Sequence, residues 1–454
     1  MEPLEYIVIN EKQSIDQLKD FLRIPSVSAR SEHKNDMARC AEFLNDYLNN
    51  IGIKTTIIPT KGFPIVFGEY ECDPNKPSVL IYGHYDVQPP EPLHLWNSSP
   101  FNPVIKDGYI IARGAVDDKG QIFAHIKALE AYHKTGNTLP VNIKILIEGE
   151  EETFGENLAD FIRSNKKNLT CDLAVVSDGA QFGIDQPAIN YGLRGICGLE
   201  VKIQGPSRDL HSGSYGGAVA NPVNILCKLI SKLHDDNGHV LVDGFYENIL
   251  SPSEKEQKLI DEIPFSEETY FNSINVKTGW GEKGYSTLER TWIRPTLDCN
   301  GITGGYQGEG GKTIIPAWAS TKITCRLVPN MNPNDICTKI ENYLYHICPE
   351  CVTMKIKSSG GCFPVKIPVD SPWLQAASNA LKSVYNKIPF LTQEGGSIPV
   401  VETFKTELGI DTLLIGFGQH NDNAHSPNER FFLKDFLRGS QVSIRLLDEL
   451  SKIS

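Results

Sequence analysis

The sequence predicts an α/β fold: a mixed sheet covered by helices, interrupted by an inserted α+β domain. Three observations lead there. In the first half, short apolar runs that end in acids or histidines alternate with helical patterns. After about residue 190 the texture becomes strand-like alternation joined by Gly-rich and Pro-rich connections. The last fifth then returns to helix, strand and helix. At 454 residues the chain exceeds what a single core comfortably carries. The expected division is 1–190 and 363–454 as two segments of one domain, with 191–362 inserted between them.

Each element has a local reason. "SIDQLKDFLRIPS" offers Ser14 as an N-cap, followed by Leu18, Phe21 and Leu22 at helical spacing. "DMARCAEFLNDYLNNIG" repeats the pattern and stops at Gly52, a residue suited to ending a helix. "KPSVLIYGHYD" reads as a short buried strand. "KGQIFAHIKALEAYH" sets Ile122, Ile126 and Leu129 on one helical face. "VNIKILIEGEEE" and "CDLAVVSDG" are two further apolar runs that end in acids, and runs of this kind suit a sheet covered on both faces. In the insertion, "NYGLRGICGLEVKIQG" alternates like a strand and "NPVNILCKLISKLHDD" reads as a helix. "WLQAASNALKSVYNK", "DTLLIGFG" and a long C-terminal helix close the chain.

Composition is that of an ordinary globular protein, 40% hydrophobic and 22% charged. A formal net charge of −12 argues against nucleic acid or an anionic membrane as partner. No apolar run reaches the length of a membrane span, and "MEPLEYIVINEKQS" lacks a secretory pattern. The expected compartment is the cytoplasm. The eleven cysteines read as small buried thiols, not as a disulfide framework. Cys348 and Cys351 stand at C-x-x-C spacing beside His346, but no second ligand pair completes a zinc site. "GGYQGEGGKT" has Tyr306 where a phosphate-binding loop needs glycine.

The chemistry collects at the ends of the apolar runs. His84 and Asp86 end one, Glu150, Glu151 and Glu152 follow another, and Asp178 ends a third. Asp117 and Asp118 precede a helix, where Asp118 reads as a cap. His425 follows "LLIGFG" across a short polar loop. In an open α/β sheet, ligands bind outside the carboxyl ends of the strands. Two histidines and several carboxylates there suit zinc or a similar divalent ion. A pair of ions bridged by one carboxylate needs about five ligands, which the inventory supplies, and one further carboxylate must stay free as general base. Asp86 is placed to accept the free N–H of His84. Five glutamates crowd one stretch, Glu148, Glu150, Glu151, Glu152 and Glu156. Such crowding needs a cation or a solvated loop, and spacing alone leaves open which of them serve. If the chain stays extended, Glu151 and Glu152 point opposite ways.

The motifs "GHYDVQP", "RGAVDDKG", "EGEEE", "VVSDG", "DLHSGSYGGAVANP", "CRLVP", "EGGSIP" and "AHSPNE" together resemble the zinc aminoacylase and carnosinase-type metallopeptidases. That family also holds acetylornithine deacetylase and succinyl-diaminopimelate desuccinylase. The resemblance spans nearly the whole chain in order and is nearest to the dipeptidase branch. It implies a two-metal hydrolase domain with an inserted lid and dimerisation domain. It also implies His84 and Asp178 on one metal, Glu152 and His425 on the other, and Asp117 bridging, with a cis bond after Asp117. Glu151 would be the general base, with Glu150 the runner-up for either glutamate role, and Asp86 would orient His84. Glu148 and Glu156 are left to support or solvent. His211 would reach the partner subunit's site and stabilise the oxyanion. Arg326 would clamp a substrate carboxylate, with Thr313, Ser397 and Gly396 as substrate contacts and Glu394 near the substrate amine. The cofactors would be two divalent ions, zinc first, with manganese admitted by the oxygen-rich ligation.

Two departures stand out. Thr153, Phe154 and Gly155 follow the glutamates where Gly-Ser is usual, and Gln393 precedes "EGGSIP" where arginine is common. The expected activity is hydrolysis of dipeptides or short peptides with a free C-terminal carboxylate by a homodimer. The alternatives are an N-acyl-amino-acid deacylase or desuccinylase, and an inactive binding protein of the same fold.

Overall fold

The computed structural model describes residues 1–153, 155 and 157–453. Phe154 and Glu156, two residues of the acidic stretch and its sequel, lie outside the described residues. The chain divides into two compact units, one of residues 1–191, 367–392 and 403–454, the other of 192–366 and 393–402. The last short segment falls inside the stretch 363–454 that the sequence assigns to the first domain. Its grouping has a local cause within the second unit. The Arg194 N–H donates to the Glu394 carbonyl at 3.2 Å, and the Arg194 Nε donates to the Gly395 carbonyl at 3.2 Å.

The first unit is built on a mixed sheet. From one edge, the first six of its nine strands run in the order Lys54–Ile58, Ile65–Tyr70, Asn142–Glu148, Ser78–His84, Leu173–Val176, Asp411–Leu414. Ser78–His84 is parallel to both of its neighbours, and Asp411–Leu414 is parallel to Leu173–Val176. Four adjacent strands therefore end at the same edge. Val79 to His84 are buried without alternation, as expected of a strand covered on both faces. The helix Lys119–Thr135 is buried from Lys119 to Tyr132, so it lies inside the unit instead of showing one wet face. Its two buried lysines are accommodated by acceptors. Lys119 Nζ donates to the Ile24 carbonyl at 2.7 Å, and Lys127 pairs with Glu130.

The second unit carries a four-stranded antiparallel sheet in the order Thr296–Gly304, Trp318–Leu327, Gly195–Gln204, Thr353–Cys362. Along Gly195–Gln204, Leu199, Val201 and Ile203 are buried while Glu200 and Lys202 are exposed. That period of two marks a sheet with one face in the core. Leu226 and Leu229 from the helix Pro222–Ser231, and Ile336 and Ile340 from Pro333–Ile347, complete this core.

Some expectations need correction. The helix expected to begin at Ser14 begins at Glu11, so Ser14 is an interior, buried residue and Asn10 holds the N-cap position. The cause is a preceding helix, Pro3–Ile9, that joins almost directly onto it. Only Cys40, Cys197, Cys325 and Cys337 are buried, while Cys227, Cys299 and Cys351 are exposed. Among the described residues no helix is long and apolar enough to cross a membrane.

One buried group in the first unit ties stability to pH. His125 lies inside the Lys119–Thr135 helix, hydrogen-bonded through Nε2 to Ser177 Oγ and through Nδ1 to Ser443 Oγ, both at 2.8 Å. Burial pushes its pKa down from 6.5 to about 4. The unfolded chain therefore takes up a proton near pH 6.5 that the folded chain refuses until about pH 4. Stability from this group is present above pH 6.5 and is lost as pH falls through that window, by roughly 3 kcal/mol in all. Denaturant unfolding of the metal-free protein between pH 7 and 4.5 should carry this slope beside the opposing one of the buried glutamates, so the parent should lose stability relative to His125→Asn as pH falls. An unchanged slope in the variant would remove His125 as its source.

Candidate metal centre

The chain delivers six chemically competent side chains to the common edge of the parallel strands. His84 is the last residue of Ser78–His84, and Asp178 lies two residues beyond Val176. Glu151 and Glu152 stand in a single 3-10 turn, Glu151–Thr153, just after the strand that ends at Glu148. His425 sits in the loop after Asp411–Leu414, and Asp117 lies two residues before the start of the buried helix. This is the edge where an open sheet leaves unpaired strand ends and room for a ligand.

The distances centre on one carboxylate. His84 Nε2 lies 3.2 Å from Asp117 Oδ1 and 3.7 Å from Asp178 Oδ2. His425 Nε2 lies 2.8 Å from Asp117 Oδ2 and 3.3 Å from Glu152 Oε2. Asp117 thus turns one oxygen to each histidine. Two triads result, His84–Asp117–Asp178 and Asp117–Glu152–His425, each with ligand atoms within 4.8 Å of one another. The peptide bond between Asp117 and Asp118 is cis, the configuration that the resemblance implies.

This donor set fits divalent cations. Each triad mixes imidazole nitrogen with carboxylate oxygen, the ligands that zinc and its neighbours accept. His84 Nε2 and Glu152 Oε1 are buried with no hydrogen-bond partner, so neither atom is satisfied within the protein. The electrostatics agree. Burial would lower the pKa of His84, yet Asp117, Asp178 and Asp86 raise it well above the ordinary value. Asp117 and Glu152 raise His425 to about 10. Burial would raise Asp117, but His425 and His84 beside it outweigh burial and hold its carboxyl well below the usual range. The cluster carries a surplus of negative charge that calls for positive charge at these two points.

The four described glutamates, Glu148, Glu150, Glu151 and Glu152, separate by their partners. Glu148 accepts a hydrogen bond from the Tyr82 hydroxyl at 2.6 Å, and burial raises its pKa to about 8. Glu150 accepts from Asn157 Nδ2 at 2.7 Å and belongs to neither triad. Burial, with the negative charges of Asp178, Glu152 and Asp117, raises Glu151 to about 7. Glu152 joins His425. Extended geometry does not apply to this pair. The Glu150 carbonyl accepts from the Thr153 and Gly155 N–H groups at 3.2 and 3.0 Å, which curls the chain into the 3-10 turn. The chain leads into this turn through Gly149, where a Cβ would stand 2.4 Å from the Tyr85 ring.

The supports differ from expectation in three places. His84 Nδ1 lies 3.1 Å from the Asp86 carbonyl oxygen and 3.4 Å from its Oδ1, so the main chain is the nearer acceptor. The other oxygen of that carboxylate, Oδ2, accepts from Ser28 Oγ at 2.7 Å and from the Glu152 N–H at 3.1 Å. Asp118 occupies the N-cap position of its helix without a side-chain cap. Its Oδ2 instead accepts the His84 N–H at 3.1 Å, because its side chain is buried beside the strand end and not aimed along the helix. Sequence reasoning gave Glu429 no role, yet its carboxylate organises the Asp117 loop. It accepts from Arg113 Nη1 at 2.7 Å and from the N–H groups of Gly114, Val116 and Asp117 at 2.9 to 3.1 Å. The available signal was the charge pair itself, Arg113 in "RGAVDDKG" and Glu429 in "AHSPNE".

The remaining predicted residues belong to the second unit. Arg326, on the strand Trp318–Leu327, donates from Nη1 to Ser397 Oγ at 3.2 Å. Ser397 Oγ donates to the Arg194 carbonyl at 2.5 Å, and Arg194 holds Glu394 and Gly395 as described above, leaving Gly396 between two anchored neighbours. His211 and Thr313 form a second group. The Ser212 N–H donates to the Thr313 carbonyl at 3.0 Å, and His211 Nδ1 accepts from the Gly213 N–H at 3.0 Å.

Comparison with known proteins places these features in a family. Residues 80–449 match the model of peptidase family M20/M25/M40. The chain is 34% identical over 455 residues to the Cys-Gly metallodipeptidase DUG1 of Candida albicans, covering 94% of this chain and 92% of that protein. Among solved structures, it is similar to the M20 family metallo-carboxypeptidase Sso-CP2 from Sulfolobus solfataricus, with a TM-score of 0.84, 32% identity and coverage of 97% and 99%. It is also similar to human carnosine dipeptidase 1, with a TM-score of 0.81, 28% identity and coverage of 99% and 98%.

The Glu429 contacts generate a stability test. Glu429→Ala leaves the Arg113 guanidinium and three N–H groups without their acceptor inside the protein. Breaking a buried pair from one side costs about 3–5 kcal/mol, so denaturant unfolding of the metal-free variant should show a loss of that order. A loss below ~1 kcal/mol would mean that water reaches the pair.

Proposed function

The chain belongs to peptidase family M20/M25/M40, and from that premise we propose that it is a metal-dependent dipeptidase. It cleaves the peptide bond of dipeptides or short peptides that have a free C-terminal carboxylate. The observation that carries this reading is the shared Asp117, one carboxylate facing a histidine on each side. Relatives named as a Cys-Gly metallodipeptidase and as a carnosine dipeptidase support the substrate class.

In this reading His84 and Asp178 would hold one divalent ion, Glu152 and His425 would hold the other, and Asp117 would serve both. Zinc is the ion that the mixed nitrogen and oxygen donors suit best, with manganese the second choice. When bound, such a pair polarises the scissile carbonyl and acidifies water, so that an amide can be attacked near neutral pH. The protein's own residues do the rest. Glu151 takes the proton of the attacking water on its carboxylate and passes it to the leaving amine nitrogen. Asp86 keeps the His84 ring in place through its carbonyl, with Asp118 holding the His84 N–H.

In the second unit, Arg326 supplies the fork that pairs with the substrate carboxylate. Ser397, Gly396 and Thr313 are further substrate contacts, and Glu394 meets the substrate amine. His211 stabilises the oxyanion in the partner subunit's site, which makes the working form a homodimer assembled through the second unit. The formal charge of −12 favours neither nucleic acid nor an anionic membrane as partner, and the cytoplasm is the proposed compartment.

Two measurements test this reading. Purified protein should carry two divalent ions per chain and turn over dipeptides in preference to N-acetyl and N-succinyl amino acids. Turnover of the acylated amino acids alone would move the assignment to a deacylase, and inertness with metal bound would support a binding role. Glu151→Ala should keep both ions and lose turnover by roughly 10²–10⁴-fold. Activity near that of the parent would remove Glu151 as base.

A further inference from the structure

We propose that Gln88 is a positioning residue that sets the Glu152 carboxylate for the half of the centre built on Glu152 and His425. The proposal rests on the two-ion reading above. Gln88 follows His84 along a stretch whose alternate N–H groups are tied to neighbouring backbone. The Tyr85 N–H donates to the Glu148 carbonyl at 2.8 Å, and the Val87 N–H to the Ser26 carbonyl at 2.9 Å. His84, Asp86 and Gln88 occupy the intervening places, the spacing at which an extended chain presents side chains to one side.

All three act on the same centre. His84 Nε2 faces Asp117 and Asp178. Asp86 Oδ2 accepts the Glu152 N–H at 3.1 Å. Gln88 Nε2 donates to Glu152 Oε2 at 2.7 Å. Glu152 is therefore gripped twice by one short segment, at its main chain by Asp86 and at its carboxylate by Gln88. Its other oxygen, Oε1, is buried and unpartnered.

The two halves of the centre differ in how firmly they are built. His84 is fully buried, whereas the His425 side chain is 57% exposed on a loop where its φ is +59°. That left-handed conformation is one a non-glycine residue seldom adopts. A half-centre with one ligand on an exposed loop depends on the other ligand being placed beforehand. An amide suits this task. It donates a hydrogen bond without cancelling the charge that attracts the cation, as a lysine would, and without the repulsion of a second carboxylate. Partners that orient a ligand in this way typically matter by 10–100-fold in metal affinity.

The test is a titration of the chelator-stripped protein with Co²⁺, read by visible absorbance and by calorimetry. The parent should bind two ions. Gln88→Met and Gln88→Leu should bind the first with unchanged affinity and the second 10–100-fold more weakly. The melting temperature of the metal-free protein should stay the same. Dipeptide turnover should fall at limiting metal and return at excess metal, with KM unchanged. Two ions bound with parental affinity by both variants would overturn the proposal, and so would equal weakening of both ions. A parent that binds fewer than two ions would instead overturn the two-ion reading on which the proposal stands.

Discussion

One carboxylate that must satisfy two imidazoles constrains the whole first unit. Asp117 can present Oδ1 to His84 and Oδ2 to His425 only if a strand end and a distant loop are held on opposite sides of it. A mixed sheet with a run of parallel strands meets that need. Parallel neighbours end at one edge, so His84, Asp178 and the turn bearing Glu152 arrive together from separate parts of the chain. The helix Lys119–Thr135 fixes the remaining coordinate, because Asp117 stands at its entrance and the helix is buried over nearly its whole length.

Holding that arrangement means burying charge, and the protein treats each buried charge individually. Arg113 and Glu429 form an ion pair at 1% and 0% exposure. Alone, such a pair recovers little of its desolvation cost. Here the carboxylate also accepts three backbone N–H groups from the Asp117 loop, so the same group that offsets the arginine shapes the site. Asp86 and Asp118 follow the same logic. Each is fully buried, and each spends at least one oxygen on the main chain of a proposed ligand, Glu152 for the former and His84 for the latter. These acids act by fixing the backbone.

The fold class and the gathering of ligand-type residues at the strand ends were legible because both depend on patterns local in sequence. Apolar runs that end in acids or histidines state where strands stop and what they carry. The helix at "KGQIFAHIKALEAYH" and the stop at Gly52 were equally local, and Gly52 has φ +81°. What was not legible depended on three-dimensional neighbours. Ser14 looks like a cap until the helix Pro3–Ile9 is seen to run into its own. Asp118 looks like a cap until the His84 N–H is found within its reach. The bond between Arg113 and Glu429 spans 316 positions, and no periodicity reports it. The placement of 393–402 with the second unit goes with hydrogen bonds that join Glu394, Gly395 and Ser397 to Arg194 and Arg326, a detail that composition cannot carry.

The acidic stretch shows how environment turns identical side chains into different groups. Glu148 takes the hydroxyl of Tyr82 from the neighbouring strand, which keeps a buried carboxyl tolerable. Glu150 is drawn to Asn157, while its carbonyl closes the turn. That turn rotates Glu151 and Glu152 away from the alternation of a strand, so both can serve the same edge of the sheet. Glu152 then gains an imidazole and an amide as neighbours. Burial and negative neighbours govern Glu151, the state in which a carboxyl takes up a proton most readily. Repulsion among the glutamates is therefore not a cost that one cation removes for all of them. It is divided among a hydroxyl, an amide, an imidazole and a proton, and only the carboxylates beside imidazole retain the geometry of a ligand.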